Sequence, residues 1–306
     1  MMTLGLSMWR RRFPAWLLLL SAAAVFPVAL AGQHDATPAP HRFGVVSIRL
    51  VPNNDVNGSI HGVGAVDPSL WQAHEAPLIW VIKAAYNMRF SDSTNDELIL
   101  GAPAWVNNKE FDINARIPPR ASRAQIPIML QAMLADRFQF RAQWETRPLQ
   151  AAAMTAAPGR LRLTRDRACE SPNLPLQLLL SPTDRAAIAA EQAHPGCGAT
   201  GGSFHDGTLT VKFHGYTMPQ LAAYIGRNTI VVDRTRVTGA YDFTVSYPIV
   251  LERGVPRDQW AGIDAQNRRA LTAAYRKLGL MIDLTRKVKL PVPVLVIDHI
   301  AMPSQN

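Results

Sequence analysis

Apolar residues recur at helical spacing in four places along this chain. Leu78, Val81, Ile82 and Ala85 fall at i, i+3, i+4 and i+7, and Met218, Leu221, Ala222 and Ile225 repeat that spacing. Ile126, Met129, Leu130, Met133 and Leu134 form another stripe, and Leu271, Ala274, Tyr275 and Leu278 a fourth. Such a stripe turns one apolar face to a core, so four amphipathic helices are expected. None sustains the heptads of a coiled coil.

Between the helices the period changes to two, the signature of strands. "FGVVSIRL" at 43–50 alternates, as do "FDINARI" at 111–117, "RFQFRAQW" at 137–144, "GTLTVKFHG" at 207–215, "YDFTVSY" at 241–247 and "GLMIDLT" at 279–285. "LQAAAMTA" at 149–156, "TIVV" at 229–232 and "VPVLVIDHI" at 292–300 add extended stretches. Residues 51–68, rich in Asn, Gly and Asp, read as loop, and 250–262 as a second loop excursion.

These elements fall into two matching series. Helix, strand, helix, strand, strand runs through both, and the phrase aromatic-Asp-apolar stands at the same place in each: Phe111-Asp112-Ile113 and Tyr241-Asp242-Phe243. The fold class expected is α+β: two similar α-β-α-β-β units with antiparallel or mixed sheets packed by helices. Spacings between matching elements differ by about ten residues, in loops where insertions cost little. The units are expected at 42–156 and 207–306, the second led by the strand at 207–215. Between them, 157–206 is read as a connection containing Pro172, Pro175, Pro182, Pro195 and the run "GCGATGG".

The N-terminus carries a different signal. Arg10, Arg11 and Arg12 precede an apolar run from Phe13 to Leu30, and Ala29-Leu30-Ala31 is a small-x-small site. This is the pattern of a secretory signal peptide, residues 1–31, cut after Ala31. An uncleaved anchor is the other reading of the same run, and the sole route to a membrane that the sequence offers. Residues 32–41 read as a mature N-terminal tail. Removing the leader lowers the formal net charge from +9 to +6, and the remaining bases are scattered. No Lys/Arg run of the nucleic-acid type follows, so nucleic acid is not expected as a partner.

Cys169 and Cys197 are the two cysteines. In an exported chain an isolated pair reads as a disulfide, here tying the 157–206 connection. Zinc held by Cys169, His194, Cys197 and His205 is the competing reading, although that spacing fits no standard finger.

The residues able to do chemistry are few. Ser203, His205 and Asp206 stand together in "GGSFHDG", with His214 further on, and offer a metal site as the alternative to a plain loop. Position 205 is His where a nucleophile elbow needs Gly. Asp298-His299 closes a strand; neighbouring strand residues point to opposite faces, which favours two polar groups emerging into solvent over an acid-base pair. Asp112 and Asp242 are expected to serve a polar outer face or to fix a turn. Asp136-Arg137 sits at a helix end, where a cation complements the dipole. Trp71, Trp80, Trp105 and Trp144 have no ordered spacing and read as core. No P-loop, GxGxxG, EF-hand or CxxC is present.

Taken together, "FGVVSIR", "GAPAWV", "EFDINA", "MLQAMLADRF", "ETRPLQ", "VVDRTRVTGAYDFTV" and the terminal "VLVIDHIAMPSQN" resemble an uncharacterised secreted soil-associated protein family, a domain of unknown function expanded in acidobacteria. The resemblance covers about residues 42–306 and departs from the family at 149–157, where the strand is less apolar than usual. It implies export and no established activity. Some relatives attach the domain to a membrane metallopeptidase. Here His74-Glu75 comes closest to HExxH, but Leu78 stands where the second His would be. More weakly, the second half resembles the short N-terminal domain of secretins and TonB-dependent receptors, which contacts partner proteins in the envelope.

The expectation is therefore an exported, periplasmic or extracellular binding module that meets envelope proteins through its sheet edges, without cofactor or metal. The alternative is a secreted hydrolase or metal-dependent enzyme using His205, Asp206, His214, Asp298 and His299.

Overall fold

The structure, a computed structural model, describes residues 42–52, 62–88, 97–171, 173–174, 185–226, 229–252, 254 and 256–303. The signal segment with Ala31, the tail at 32–41, and Pro172, Pro175 and Pro182 lie outside the described residues.

Three sheets organise the chain. The first takes β1 (Val46–Leu50), β2 (Gly62–Asp67), β3 (Leu70–Pro77) and β5 (Glu110–Arg116) in the order β1-β5-β3-β2, all antiparallel. The third takes β7 (Thr164–Arg165), β8 (Ala199–His205), β9 (Thr208–Tyr216) and β11 (Tyr241–Pro248) in the order β7-β11-β9-β8, again all antiparallel. The two outer sheets thus repeat one topology. Each sends its third strand directly into a helix of eight residues: α1 (Leu78–Ala85) after β3, and Met218–Ile225 after β9.

The intervening helices are α2 (Trp105–Asn108), α3 (Gln125–Phe138) and α4 (Arg185–Ala193), so Met218–Ile225 is α5 and Trp260–Lys277 is α6. All four helices expected from apolar stripes form, and α1 and α5 bury every residue of their stripes. α5 opens with a capping box, in which the Thr217 hydroxyl and the Gln220 side chain each satisfy a backbone N–H of the first turn.

Between the outer sheets lies a mixed sheet that interlocks the halves. β6 (Arg141–Ala156) and β13 (Val288–His299) run antiparallel along most of their length. β10 (Ile230–Asp233) lies parallel to the end of β6, and β4 (Ile99–Leu100) parallel to the end of β13, while β12 (Leu280–Ile282) pairs with the last residues of β6. Ala152 and Met154 of β6 pack into the core of the second outer sheet, with Phe213, Tyr275 and Leu280. Leu295 and Ile297 of β13 pack into the first core, with Phe111, Ile82 and Leu134. β6 thus runs from the first core, where Ala142 packs, into the second, whereas the first half of β13 packs through Leu290 and Val292 with Ala151 and Ile230 in a smaller third cluster.

Several expectations are corrected here. Residues 51–68 are not all loop, because β2 forms at 62–67, where Val63 and Ala65 alternate inward with Gly64 between them. Of the strand read at 137–144 only 141–144 is strand, because α3 runs on to Phe138, and it continues through 149–156 as one β6. Its less apolar end suits a sheet covered on both faces, and Ala151, Ala152 and Met154 are fully buried. The excursion at 250–262 gives way to a 3-10 turn at Arg257–Gln259 and then to α6, whose exposed first half carries no apolar stripe to announce it. Within 157–206, β7 and β8 join the third sheet.

Candidate functional site

The repeated aromatic-Asp phrase marks a repeated backbone device. In the first sheet Ala73 pairs with Ile113 and Ala76 with Phe111, which leaves His74 and Glu75 opposite the single residue Asp112. In the third, Phe213 pairs with Phe243 and Tyr216 with Tyr241, which leaves His214 and Gly215 opposite Asp242. Each is a β-bulge whose second residue has positive φ, +44° at Glu75 and +58° at Gly215. A bulge frees an N–H from the ladder, and the aspartate takes it: Asp112 Oδ1 accepts from Glu75 N at 3.0 Å, and Asp242 Oδ1 from Gly215 N at 2.7 Å. The histidine of each bulge turns Nδ1 to the same oxygen, at 3.1 Å for His74 and 3.0 Å for His214. Turn fixing, one of the two roles expected for these aspartates, is what the geometry shows.

The surroundings then diverge. Asp112 also pairs with the Arg49 guanidinium from β1. Burial works against its charge, but the Glu75 N–H, Arg49 and His74 outweigh that and hold its carboxyl below the ordinary value. At the second bulge a disulfide replaces the arginine. Cys169, in a 3-10 turn at Ala168–Glu170, is bonded to Cys197 with 5.4 Å between Cα atoms. The bridge lies against Gly215 so closely that a Cβ there would run into Cys169 Sγ and Cβ. Asp166 caps the 3-10 turn, accepting from Ala168 N and Cys169 N, and its Oδ2 lies 3.7 Å from His214 Nε2. The same Nε2 stands 4.0 Å from Cys169 Sγ. Both cysteines line a cleft of about 310 Å³ with Arg123, Gly198, Thr217 and Gln220. The Arg123 guanidinium donates to the Cys197 carbonyl, and burial lowers its pKa against the opposing charge of Glu191.

The chemical candidates do not converge on this point. His205 and Asp206 pair with each other at 3.0 Å, 88% and 85% exposed, in the hairpin turn joining β8 to β9. Asp206 and Gly207 both have positive φ, the type I′ geometry that Asp-Gly favours, so "HDG" is a two-residue turn rather than a loop site. His214 sits at the far end of β9, away from that turn. At the end of β13, Asp298 accepts from the Gln143 side chain at 3.3 Å and His299 lies 3.4 Å from Gln139. The zinc grouping of Cys169, His194, Cys197 and His205 is also corrected: among the described residues, the histidine beside the cysteines is His214. The signal that could have found it is the 140-residue offset shared by His74/His214 and Leu78/Met218. Asp136 pairs with Arg42. Trp71 is core, whereas Trp144 is half-exposed and meets Tyr86 edge-on.

One further feature stands at the edge of the third sheet. Among the described residues β8 pairs with β9 alone, and its residues from Thr200 to His205 are all exposed, Phe204 by 50%. Its topological counterpart β2 buries Val63 and Ala65.

The fold and these sites define an α+β protein in which two outer sheets of identical topology are locked through a shared central sheet. The chain belongs to the family described as a protein of unknown function, DUF3738, which matches residues 80–300 and so spans the central sheet and the third, with β5 alone from the first. Nothing among curated proteins or solved structures matches it.

Proposed function

We propose that this protein is an exported binding module, acting in the periplasm or outside the cell, that recognises an extended polypeptide segment by adding it as a strand to β8. The exposed edge of β8 carries the reading. An edge strand presents a row of backbone N–H and C=O groups ready to pair, and proteins usually blunt it with Lys, Pro, a bulge or a covering element. "ATGGSFH" contains no Lys, Arg, Asp, Glu or Pro, pairs in unbroken register with β9, and contributes nothing to the core. A strand open, among the described residues, on its outer edge and on both faces suits strand addition, where main-chain bonds supply affinity and alternate side chains supply selectivity. The basic, apolar N-terminal run and the disulfide support export. The resemblance of the second half to an envelope contact domain supports a protein partner.

Selection of random extended peptides on immobilised protein tests this, with a Thr200→Lys/Phe204→Lys variant as the control. Both positions are exposed, so the variant keeps its fold. The expected result is a set of peptides that bind the parent and lose at least tenfold in affinity for the variant. Peptides that bind both alike, or no enrichment at all, would overturn the proposal.

A further inference from the structure

The disulfide, His214 and Asp166 have the makings of a metal site that the oxidised protein conceals. We propose that, when Cys169 and Cys197 are reduced, the chain binds one Zn²⁺ through their two sulfurs, His214 Nε2 and Asp166 Oδ2. The disulfide is then the metal-free, oxidised form of a zinc site.

The donor set is the first ground. Two thiolates, one imidazole and one carboxylate are ligands that Zn²⁺ takes in tetrahedral sites. One atom from each of Cys169, Cys197 and His214 lies within 4.8 Å of the others, and the same holds for Asp166, His214 and Asp242. Ligands about 2.0–2.3 Å from a tetrahedral zinc stand about 3.3–3.8 Å apart. His214 Nε2 is already 4.0 Å from Cys169 Sγ and 3.7 Å from Asp166 Oδ2, each within a few tenths of an ångström of ligand spacing, while the Asp166 carboxylate and the Cys169 sulfur meet only through His214, so the carboxylate must swing further toward the sulfur to complete the set. Breaking the S–S bond frees the remaining sulfur to move to a like distance.

The orientation of His214 is the second ground. An ionised carboxylate only accepts, so Asp242 Oδ1, 3.0 Å from Nδ1, holds the proton on that nitrogen. This leaves the Nε2 lone pair directed to the side where Cys169 and Asp166 lie. A histidine ligand whose other nitrogen donates to a carboxylate is the usual arrangement around protein-bound zinc, and Asp242 acts as its positioning residue. Asp242 is itself fixed by the Gly215 N–H, and the missing side chain at Gly215 leaves room for the sulfurs. In the first sheet His74 and Asp112 have the same relationship, but Arg49 is their neighbour where the second sheet has cysteines, so no such site arises there.

The chemistry balances simply. A dithiol donates two electrons and two protons, becomes a disulfide itself, and opens Cys169–Cys197 to two thiols. Zinc then displaces the two thiol protons to solvent. The site is open to metal before the bridge closes and again after reductive opening.

Zinc titration against a colorimetric chelator, on purified protein with the bridge intact and after phosphine reduction under argon, tests the proposal. One Zn²⁺ per chain is expected in the reduced protein and none in the oxidised one. Asp242→Asn is expected to weaken binding on the order of 10–100-fold and His214→Ala by at least as much, whereas His194→Ala and His205→Ala leave it unchanged. Because His214→Ala could disturb the bulge, Co²⁺ substitution in the unaltered chain gives an independent reading: a thiolate-to-cobalt charge-transfer band with intense tetrahedral ligand-field bands is expected. Absence of that band, no zinc uptake on reduction, or equal uptake by the oxidised protein would overturn the proposal.

Discussion

Asp112 and Asp242 make the same hydrogen bond in two different sheets, each capping the N–H of a left-handed bulge residue on the neighbouring strand, Glu75 at 3.0 Å and Gly215 at 2.7 Å. The phrase that repeats in the sequence is therefore the acceptor half of a repeated clamp. The clamp fixes where β3 and β9 bend into α1 and α5, and so where each outer sheet meets its helix.

Removing the clamp is expected to cost stability unequally. Asp112→Ala leaves the Glu75 N–H without its acceptor in a half-buried setting and breaks the Arg49 pair, for a loss of about 1–3 kcal/mol. Asp242, 40% exposed, has water as a substitute, and its loss is expected to cost about 1 kcal/mol. The sites lie in separate sheets, so the double variant should show the sum of the two within about 0.5 kcal/mol. Urea denaturation of the three variants checks this.

Acid should weaken the first clamp selectively. The Asp112 carboxyl is held below its ordinary value of 3.8, so its contribution is complete above that value and fades as pH falls from there through the lower folded-state value. Asp67, Glu170 and Asp283 are shifted in the same direction, so the wild-type curve alone does not isolate the clamp. The difference between wild type and Asp112→Asn does. It should be constant from neutral pH down to about pH 5 and shrink below about pH 4. Thermal melts across that range give the comparison.

Gly215 is expected to be intolerant of any side chain. Its φ of +58° costs an L-residue about 1–2 kcal/mol, and the new Cβ meets the Cys169 sulfur besides. Gly215→Ala should lower stability by more than that backbone term alone. Gly201→Ala in β8, where nothing stands within 4 Å and φ is ordinary, should change it by less than about 0.5 kcal/mol. Equal effects from the two substitutions would remove the close approach of the bridge from the account.

The sequence disclosed what periodicity controls. The stripes of α1, α3 and α5 present whole apolar faces to a core, and three-residue spacing announces them. It also disclosed that two stretches match, because Asp112 and Asp242 sit in short, strongly patterned strands. What it concealed depends on partners distant along the chain. His214 reads as one polar residue in a strand until the bulge turns it toward Asp242, and Asp166 and Cys169 approach it only because β7 joins β11. β8 reads as loop because Gly201 and Gly202 sit at its centre and nothing alternates, and only its pairing with β9 makes it a strand. β6 reads as two strands because the polar run Glu145, Thr146, Arg147 and Pro148 interrupts its apolar alternation midway.

Opening the bridge is expected to destabilise the oxidised fold through the 28-residue loop it closes. The chain-entropy relation gives about 3–4 kcal/mol for that separation. A Cys169→Ser/Cys197→Ser variant and phosphine-reduced wild type, both in excess chelator, should show this loss alike in urea titrations. Zinc added to the reduced wild type should restore part of it, and zinc added to the serine variant should restore none.

The proposed strand addition at β8 is tested most directly by a photo-crosslinking amino acid placed at Ser203, with Lys212 of β9, exposed but paired on both sides, as the control, in the cell that makes the protein. Adducts to a defined polypeptide are expected from position 203, none from 212, and loss of the 203 adducts when Thr200 and Phe204 are changed to Lys. Adducts of equal yield from both positions, or 203 adducts that survive the lysine changes, would contradict it.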